Sequence, residues 1–145
     1  MTYKKYRKGV FCVVYAVKNK KIIYLILHRK LHWKGWELCK GGLRNNEKYE
    51  NAVKREIKEE TGLRTLNIKK HNIKGKFIYD KKTQTIRKAK GMSFVLFSAE
   101  VKKGGVNIYN EHASYRWFNY RKAMKLLTWK NQKKCLKIAD IYLKN

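Results

Sequence analysis

The residues best suited to chemistry in this sequence are carboxylates that lie close together along the chain. Five of the 10 acidic residues fall within the segment 47–60, although the chain carries 37 lysines and arginines. They are Glu47, Glu50, Glu56, Glu59 and Glu60. Such a cluster is typical either of a solvated helix with acid and lysine pairs or of a site for a strongly positive ligand.

The helical pattern of this segment separates the two interpretations. At ~100° per residue, residues 49–61 present one apolar stripe, with the lysines of the segment on the opposite side. The stripe consists of Tyr49, Ala52, Val53 and Ile57. Glu56 and Glu60 fall on this stripe and Glu59 flanks it, where carboxylates repel one another and lose hydration unless a cation compensates them. Hard oxygen ligands in this number indicate Mg²⁺ or Mn²⁺.

A pair of glycines precedes the helix. Gly41 and Gly42 let the backbone approach a ligand closely, and they can present a carbonyl to a metal or amide groups to a phosphate. A loop followed by an ordinary helix cap is the simpler alternative. Together with the acidic helix, the glycines predict a metal-assisted phosphate site.

The spacing of these residues resembles the signature of the Nudix hydrolases. From Gly41 to Leu63 the sequence follows G-x5-E-x7-R-E-U-x-E-E-x-G-U, where U is a bulky aliphatic residue, at every fixed position. Enzymes of this family cleave a nucleoside diphosphate linked to another moiety. The resemblance implies an α/β fold, the Nudix-type α/β/α sandwich with a central mixed sheet.

The resemblance also implies roles within the signature. Mg²⁺ or Mn²⁺ would be held by three carboxylates and one backbone oxygen, which belong to Glu56, Glu59, Glu60 and Gly41. Arg55 would hold Glu56 in place, and Glu47 would anchor the loop against Arg55 or the outer shell of the metal. The metal would neutralise the bridging phosphate oxygens and lower the pKa of an attacking water.

Two positions depart from the family pattern. Asn46 stands where a glycine often precedes the first glutamate of the signature, and Asn tolerates the left-handed conformation better than most residues. Cys39 stands where many relatives have proline. Neither position carries a carboxylate predicted to bind metal, so we expect the loop and the site to be retained.

A second motif narrows the resemblance. Lys40 directly precedes the glycine pair, and residues 111–117 read E-H-x-x-Y-R-W, as in the asymmetrical dinucleoside tetraphosphate (Ap4A) hydrolases. This resemblance implies that Glu111 is an additional metal ligand or a base and that Lys40 contacts phosphate. We expect His112 to pack within a loop rather than to act in catalysis.

An adenine site needs an aromatic face for stacking. The candidates on a predicted strand are Phe77 and Tyr79, with Trp33 and Trp36 as weaker choices. Any of these rings could instead fill the core. Lys88 and Lys90, in a basic segment at 80–90 that is predicted to be a loop, would contact the polyphosphate tail.

Hydrophobic periodicity predicts the elements that position these residues. Strands rich in β-branched and aromatic residues are predicted at 9–17, 21–28, 67–79, 91–101 and 115–118, the first two joined as a hairpin. Besides the acidic helix, one helix is predicted from about Tyr120 to Leu127 and a last one after Thr128, its expected N-cap. The core-facing side of the last helix should contain Cys135, Ile138, Ala139 and Tyr142.

Composition sets the remaining limits. With 145 residues and 43% apolar content, we expect a single Nudix domain over residues 1–145. The net charge of +27 favours polyanionic partners, from nucleotides to RNA, although a biased composition with a solvated surface explains it equally well. Three widely spaced cysteines, with neither a signal-like start nor a long apolar run, predict a cytoplasmic protein without membrane association.

The leading functional hypothesis is a Mg²⁺-dependent pyrophosphohydrolase that attacks a dinucleoside polyphosphate with water and converts Ap4A to ATP and AMP. The second hypothesis is removal of pyrophosphate from a 5′-triphosphorylated RNA by the same chemistry, which the positive charge would favour. The third is an RNA- or nucleotide-binding module that has lost catalysis. The expected partner is therefore a nucleotide substrate, with RNA as the alternative, and the sequence leaves the oligomeric state open.

Overall fold

The computed structural model describes residues 2–31, 34–108 and 112–145, which form seven strands and four helices. The strands are β1 (Tyr6–Lys18), β2 (Lys21–Arg29), β3 (Gly35–Glu37), β4 (Cys39–Gly42), β5 (Thr65–Ile78), β6 (Gly91–Val101) and β7 (His112–Phe118). The helices are α1 (Tyr49–Thr61), α2 (Lys81–Arg87), α3 (Tyr120–Leu126) and α4 (Lys130–Lys144). None of these helices is long and apolar enough to cross a membrane.

Strand β1 runs through the middle of a mixed sheet. One edge of β1 pairs in parallel with β6, and the other edge pairs antiparallel with β4 near its start and with β2 near its end. Strand β5 pairs with the outer edge of β6, while β3 and β7 pair with β2. The predicted central mixed sheet is therefore confirmed, and all five predicted strands are present with ends that differ by a few residues.

Helices cover both faces of the sheet because side chains alternate along β1. Val10, Cys12 and Val14 lie in one buried cluster with residues of α1, whereas Phe11 and Val13 lie in a second cluster with residues of α3 and α4. All five side chains are at most 1% exposed. This three-layer arrangement is the predicted α/β/α sandwich.

The basic segment 80–90 differs from its prediction because it is not a loop. It contains α2, and the Asp80 carboxylate caps this helix by accepting a hydrogen bond from Thr83 N–H at 2.7 Å. No residue of α2 is buried, so the helix lacks the apolar stripe by which a pattern would predict it. The connection between β2 and the glycine pair, for which the pattern predicts no strand, also forms β3 and β4.

The last helix also differs from its prediction in two respects. Thr128 does not cap it, because its Oγ1 accepts a hydrogen bond from Trp36 N–H at 3.0 Å. Cys135 and Ala139 are buried as predicted, but Tyr142 is 47% exposed. The helical period places Tyr142 on the side that faces the sheet, where its ring meets His71 of β5 with centroids 5.1 Å apart, but the ring lies at the margin of the core and stays half exposed.

The sheet brings the glycine pair and the acidic helix side by side. In β4, Gly41 lies opposite Val10 and Gly42 lies opposite Gly9 of the central strand. After a loop at 43–48 the chain enters α1, which packs back onto β1 and β4. The signature residues therefore meet at one edge of β4.

Candidate active site

Two left-handed residues fix the ends of the segment that carries the acids. Asn46 has a φ of 60°, and nearby the Arg44 N–H donates to Glu47 Oε1 at 2.9 Å. At the other end, Gly62 has a φ of 75° and donates its N–H to the Lys58 carbonyl at 2.8 Å, which ends α1. Asn46 thus adopts the conformation that a glycine would provide in this loop.

Arg55 lies at the centre of the hydrogen bonds of the site. Its guanidinium donates to both carboxylate oxygens of Glu47 at 2.8 Å, to Glu56 Oε1 at 2.7 Å and to the Gly42 carbonyl at 2.9 Å. A longer bond of 3.2 Å reaches Glu59 Oε2. The bonds from Arg55 lower the pKa of Glu47 to about 2. Arg55 therefore joins the end of β4, the loop and α1.

The glycine pair leaves space that two charged side chains occupy. A Cβ at Gly41 would overlap the Glu56 carboxylate, and a Cβ at Gly42 would overlap the Arg7 guanidinium. Both positions therefore require glycine because the Glu56 and Arg7 side chains come so close to the backbone of β4. A metal-binding role for the Gly41 carbonyl stays a prediction.

Glu59 lies at the solvent edge of α1. Its carboxylate accepts hydrogen bonds from Arg44 at 2.8 Å and from Arg55 at 3.2 Å. In the part of the chain that the structure describes, no three His, Cys, Asp or Glu side chains are gathered so that they could hold a metal. Arg44 and Arg55 balance part of the charge of Glu56 and Glu59 instead.

Glu60 tests whether the helix suits a divalent cation. It is 9% exposed, and its Oε2 has no hydrogen-bond partner among the described residues. Burial raises the pKa of Glu60 well above its usual range, and the neighbouring Cys39 and Glu56 raise it further. A buried carboxylate without a compensating charge is costly, and a divalent cation would remove that cost. The residues present therefore fit Mg²⁺ or Mn²⁺.

A cleft of about 1370 Å³ opens beside these carboxylates. The predicted residues that line it are Lys40, Gly41, Arg55, Glu56, Glu59, Glu60, Phe77 and Tyr79. Lys88 and Lys90 do not line the cleft. Lys88 is the residue at which α2 ends, and Lys90 Nζ lies 5.8 Å from the centre of the Tyr6 ring. A contact between these two lysines and a polyphosphate stays a prediction.

The cleft also contains cations that no motif includes. They are Arg7 of β1, Arg29 of β2, Arg44 of the loop, Arg87 of α2 and Lys130 of α4. Because they come from five separate parts of the chain, no spacing rule groups them. Trp129 lines the cleft as well and is 47% exposed. The sequence gives little indication that Trp129 lines the cleft, because it shows only a tryptophan beside the expected start of the last helix.

Phe77 and Tyr79 form the aromatic part of the cleft wall. Their rings meet edge to face, with centroids 5.6 Å apart. Lys40 Nζ lies 6.0 Å from the centre of the Phe77 ring, and Arg7 Nη1 donates to the Tyr79 hydroxyl at 3.5 Å. The aromatic pair and the cleft cations are therefore neighbours.

The remaining predicted residues lie elsewhere. Trp36 packs against other aromatic rings and does not line the cleft. His112 is 2% exposed and contacts Glu37, but it begins strand β7 and does not lie in a loop as predicted. Trp33 and Glu111 lie outside the described residues, so their roles stay predictions.

Comparison with protein families identifies the family of this chain. A model of the NUDIX domain matches residues 5–137. The chain belongs to the Nudix family. Nudix hydrolases act on phosphoric anhydride bonds and generally need divalent metal ions. Comparison with curated protein sequences finds no significant match.

Solved Nudix structures share the fold over nearly the whole chain. A C. elegans Ap4A hydrolase binary complex aligns with a TM-score of 0.76 at 22% identity, over 95% of this chain and 98% of that chain. The NUDIX domain of Shewanella oneidensis NrtR complexed with ADP ribose gives 0.77 at 16% identity, over 97% and 90%. The E. coli dihydroneopterin triphosphate pyrophosphohydrolase gives 0.74 at 18%, over 92% and 96%. At these identities the likeness establishes the fold and not the substrate.

Replacing Glu60 by Gln should separate stability from turnover in this Nudix protein. In metal-free buffer at pH 7 we expect Glu60→Gln to raise the Tm by about 3–5 °C, because a buried carboxyl with a raised pKa lowers stability at this pH and an amide does not titrate. Since burial raises the folded-state pKa, the penalty exists only above the unfolded-state pKa, near 4.5. The gain in Tm should therefore disappear as the pH falls towards 4.5.

Thermal unfolding with and without Mg²⁺ measures this effect. Mg²⁺ should raise the Tm of the wild type and leave that of Glu60→Gln unchanged, and the variant should not hydrolyse nucleotides. Glu50→Gln, at an exposed position of the same helix, is the matched control and should behave as the wild type. A lower Tm for Glu60→Gln in metal-free buffer would contradict this account of the carboxylate.

Replacing Arg55 by Lys should loosen the loop before α1. A single ammonium cannot bridge Glu47, Glu56 and the Gly42 carbonyl at once. We expect a loss of about 1.5–3 kcal/mol in the free energy of unfolding, measured with urea, and a kcat lowered about 10- to 100-fold. Arg64→Lys, at an exposed arginine just after α1, controls for the loss of a guanidinium. An unchanged kcat would show that the orientation of Glu56 does not depend on Arg55.

Proposed function

We propose that this chain, as one Nudix domain over residues 1–145, is a Mg²⁺-dependent pyrophosphohydrolase that cleaves a dinucleoside polyphosphate, Ap4A, into ATP and AMP. The observation that carries the proposal is the cleft, in which carboxylates, cations and an aromatic pair line one space. A polyphosphate that ends in a base needs these three kinds of surface, for the metal, the phosphates and the base.

The carboxylates form the reacting end of the cleft. Glu56, Glu59 and Glu60 would hold Mg²⁺, which when bound neutralises bridging phosphate oxygens and acidifies a water. Arg55 holds the Glu56 carboxylate against the backbone of Gly41, so this carboxylate has a fixed direction before substrate arrives. A hydrogen bond from Arg55 therefore orients Glu56 for metal binding, whereas burial restrains Glu60.

The cations and the aromatic pair form the binding end of the cleft. Lys40 and Arg7 lie beside Phe77 and Tyr79, so a base stacked on these rings would bring its phosphates to the two cations. The volume of about 1370 Å³ exceeds the roughly 300–1,000 Å³ that is usual for small ligands. The cleft therefore has room for a second nucleoside.

One motif favours Ap4A among the substrates of Nudix enzymes. Lys40 and the E-H-x-x-Y-R-W run at 111–117 resemble the asymmetrical Ap4A hydrolases. The motif lies partly outside the described residues, so the support it gives comes from the sequence.

A basic surface on the other face of the sheet favours 5′-triphosphorylated RNA as a second candidate substrate. Tyr6, Lys76 and Lys90, here called the Tyr6 surface, place two ammonium groups 4.8 and 5.8 Å from the centre of the Tyr6 ring. Arg7, the next residue of β1, lines the cleft, so Tyr6 faces the opposite side of the sheet near the start of the strand. An aromatic ring with lysines suits a single strand, because a base stacks while its phosphates pair with the ammonium groups. An RNA whose 5′ end occupied the cleft would reach this surface around the start of β1.

The first experiment compares kcat/KM for Ap4A with that for a 10-nucleotide 5′-triphosphate RNA, in Mg²⁺ at near-physiological salt. We expect a preference of at least about tenfold for Ap4A, equivalent to one well-placed contact, with ATP and AMP as products. Glu60→Gln provides the blank. ADP-ribose and dihydroneopterin triphosphate complete the panel, and a preference for either would overturn the Ap4A assignment. Nucleotide binding without hydrolysis of any substrate would indicate a module that has lost catalysis.

Charge reversal on the Tyr6 surface tests the second candidate. If RNA is the substrate, Lys76→Glu should lower kcat/KM for RNA about fivefold and flatten its salt dependence, leaving Ap4A within about twofold. The matched control reverses the exposed Lys102, which follows the far end of β6, about 30 Å from Gly91. An equal loss in the control would show that RNA responds only to total charge.

A further inference from the structure

A buried cluster of charged side chains lies behind the cleft, and the proposed reaction does not use its central member. Glu37 of β3 is 1% exposed. Its neighbours are Arg29 of β2, Lys40 of β4 and His112 of β7, so four strands contribute to what we call the Glu37 cluster. No motif in the sequence includes Glu37.

The two oxygens of Glu37 have different partners. Oε2 contacts Arg29 Nη1 at 3.0 Å and His112 Nε2 at 2.8 Å. Oε1 has no hydrogen-bond partner among the described residues, and its nearest cation is Lys40 Nζ at 3.7 Å. Burial alone would raise the pKa of Glu37, but Lys40, His112 and Arg29 lower it to about 2. Because an ionised carboxylate only accepts, His112 donates through Nε2–H.

A buried carboxylate at this position is unexpected on electrostatic grounds. Arg29 and Lys40 both line the cleft that would take a polyphosphate, so a negative charge directly behind them weakens the attraction for an anion. Desolvation of Glu37 adds a further cost. The carboxylate must therefore contribute something other than attraction.

The geometry shows what Glu37 restrains. Lys40 carries a flexible four-carbon stem, and its ammonium lies 3.7 Å from Glu37 Oε1. Arg29 comes from β2, and its Nη1 donates to Glu37 Oε2 at 3.0 Å. Both cations line the cleft. Glu37 therefore restrains the charged ends of two side chains in the cleft wall.

We propose that Glu37 is a positioning residue for polyphosphate binding. Its carboxylate holds the Lys40 ammonium and the Arg29 guanidinium in the cleft wall, where they meet the phosphates. The proposal rests on the proposed function only in taking a polyphosphate as the ligand.

Removal of the charge gives opposite results under the two explanations. If Glu37 acts only as a nearby negative charge, Glu37→Gln makes the cleft more positive and a polyphosphate binds more tightly. If Glu37 positions the cations, Glu37→Gln releases Lys40 and binding weakens despite the gain in positive charge. The sign of the change therefore decides between them.

The test measures binding of inorganic tripolyphosphate to the full chain by calorimetry, in EDTA and at near-physiological salt to limit binding to the rest of the basic surface. We expect Glu37→Gln to weaken binding about five- to tenfold. Glu100→Gln, a partly buried carboxylate at the far end of β6, should have no effect. Unchanged or tighter binding by Glu37→Gln would overturn the proposal.

Two further measurements separate positioning from a loss of structure. In the Lys40→Met background, Glu37→Gln should cause a smaller additional loss, because one of the two restrained cations is already absent. With Ap4A, Glu37→Gln should raise KM about five- to tenfold and change kcat less than about threefold. Equal losses in both backgrounds would count against the proposal.

Glu37→Asp replaces Glu37→Gln if the latter does not fold. It keeps the charge but withdraws the carboxylate by one methylene, and a loss of tripolyphosphate affinity is again expected, with unchanged affinity counting against positioning. Because tripolyphosphate binding is measured without metal and without turnover, it remains informative if Ap4A is not the substrate. Conversely, Ap4A turnover can hold while Glu37 has no effect on binding.

Discussion

The arrangement of the whole site depends on the guanidinium of Arg55. Its partners Glu47, Glu56 and the Gly42 carbonyl lie on the loop, on α1 and on β4, so one planar group fixes three elements relative to one another. Hydrogen bonds between charged groups are stronger and shorter than neutral ones, and the fork of arginine adds direction. The glycines of β4 are required because the Glu56 and Arg7 side chains come this close to the backbone.

The distribution of charge around this clamp is more informative than the net charge of +27. Arg55 pairs with Glu47, Arg44 pairs with Glu59, and Arg29 pairs with Glu37. Glu60 Oε2 alone among the described carboxylate oxygens of α1 is buried without a partner. In a chain so rich in lysine, a shortage of cations does not explain this. Glu60 is instead buried where α1 packs against β4, so its charge would be neutralised there by a divalent cation.

Sequence patterns predict the elements that obey a single strong period and miss those held by specific contacts. The apolar stripe of α1 predicts this helix, and runs of β-branched residues predict the strands. Along β1 these residues alternate between the two buried clusters. Helix α2 has no buried residue and depends on the Asp80 cap, so the basic segment resembles a loop. Thr128 has a side chain suited to an N-cap, but its hydroxyl oxygen accepts a hydrogen bond from the Trp36 N–H instead.

The same distinction applies to the site and explains why its substrate is harder to infer than its chemistry. The carboxylates of α1 are close in sequence, so spacing alone groups Glu56, Glu59 and Glu60 as candidates. The residues that we propose for substrate binding come from distant strands, and their grouping depends on the sheet order, in which β6 separates β1 from β5. Arg7 contacts Tyr79 although 72 positions separate them in the sequence, and no spacing rule predicts such a contact. The same acidic helix can therefore serve either Ap4A or RNA, and the cleft wall built from the sheet decides between them.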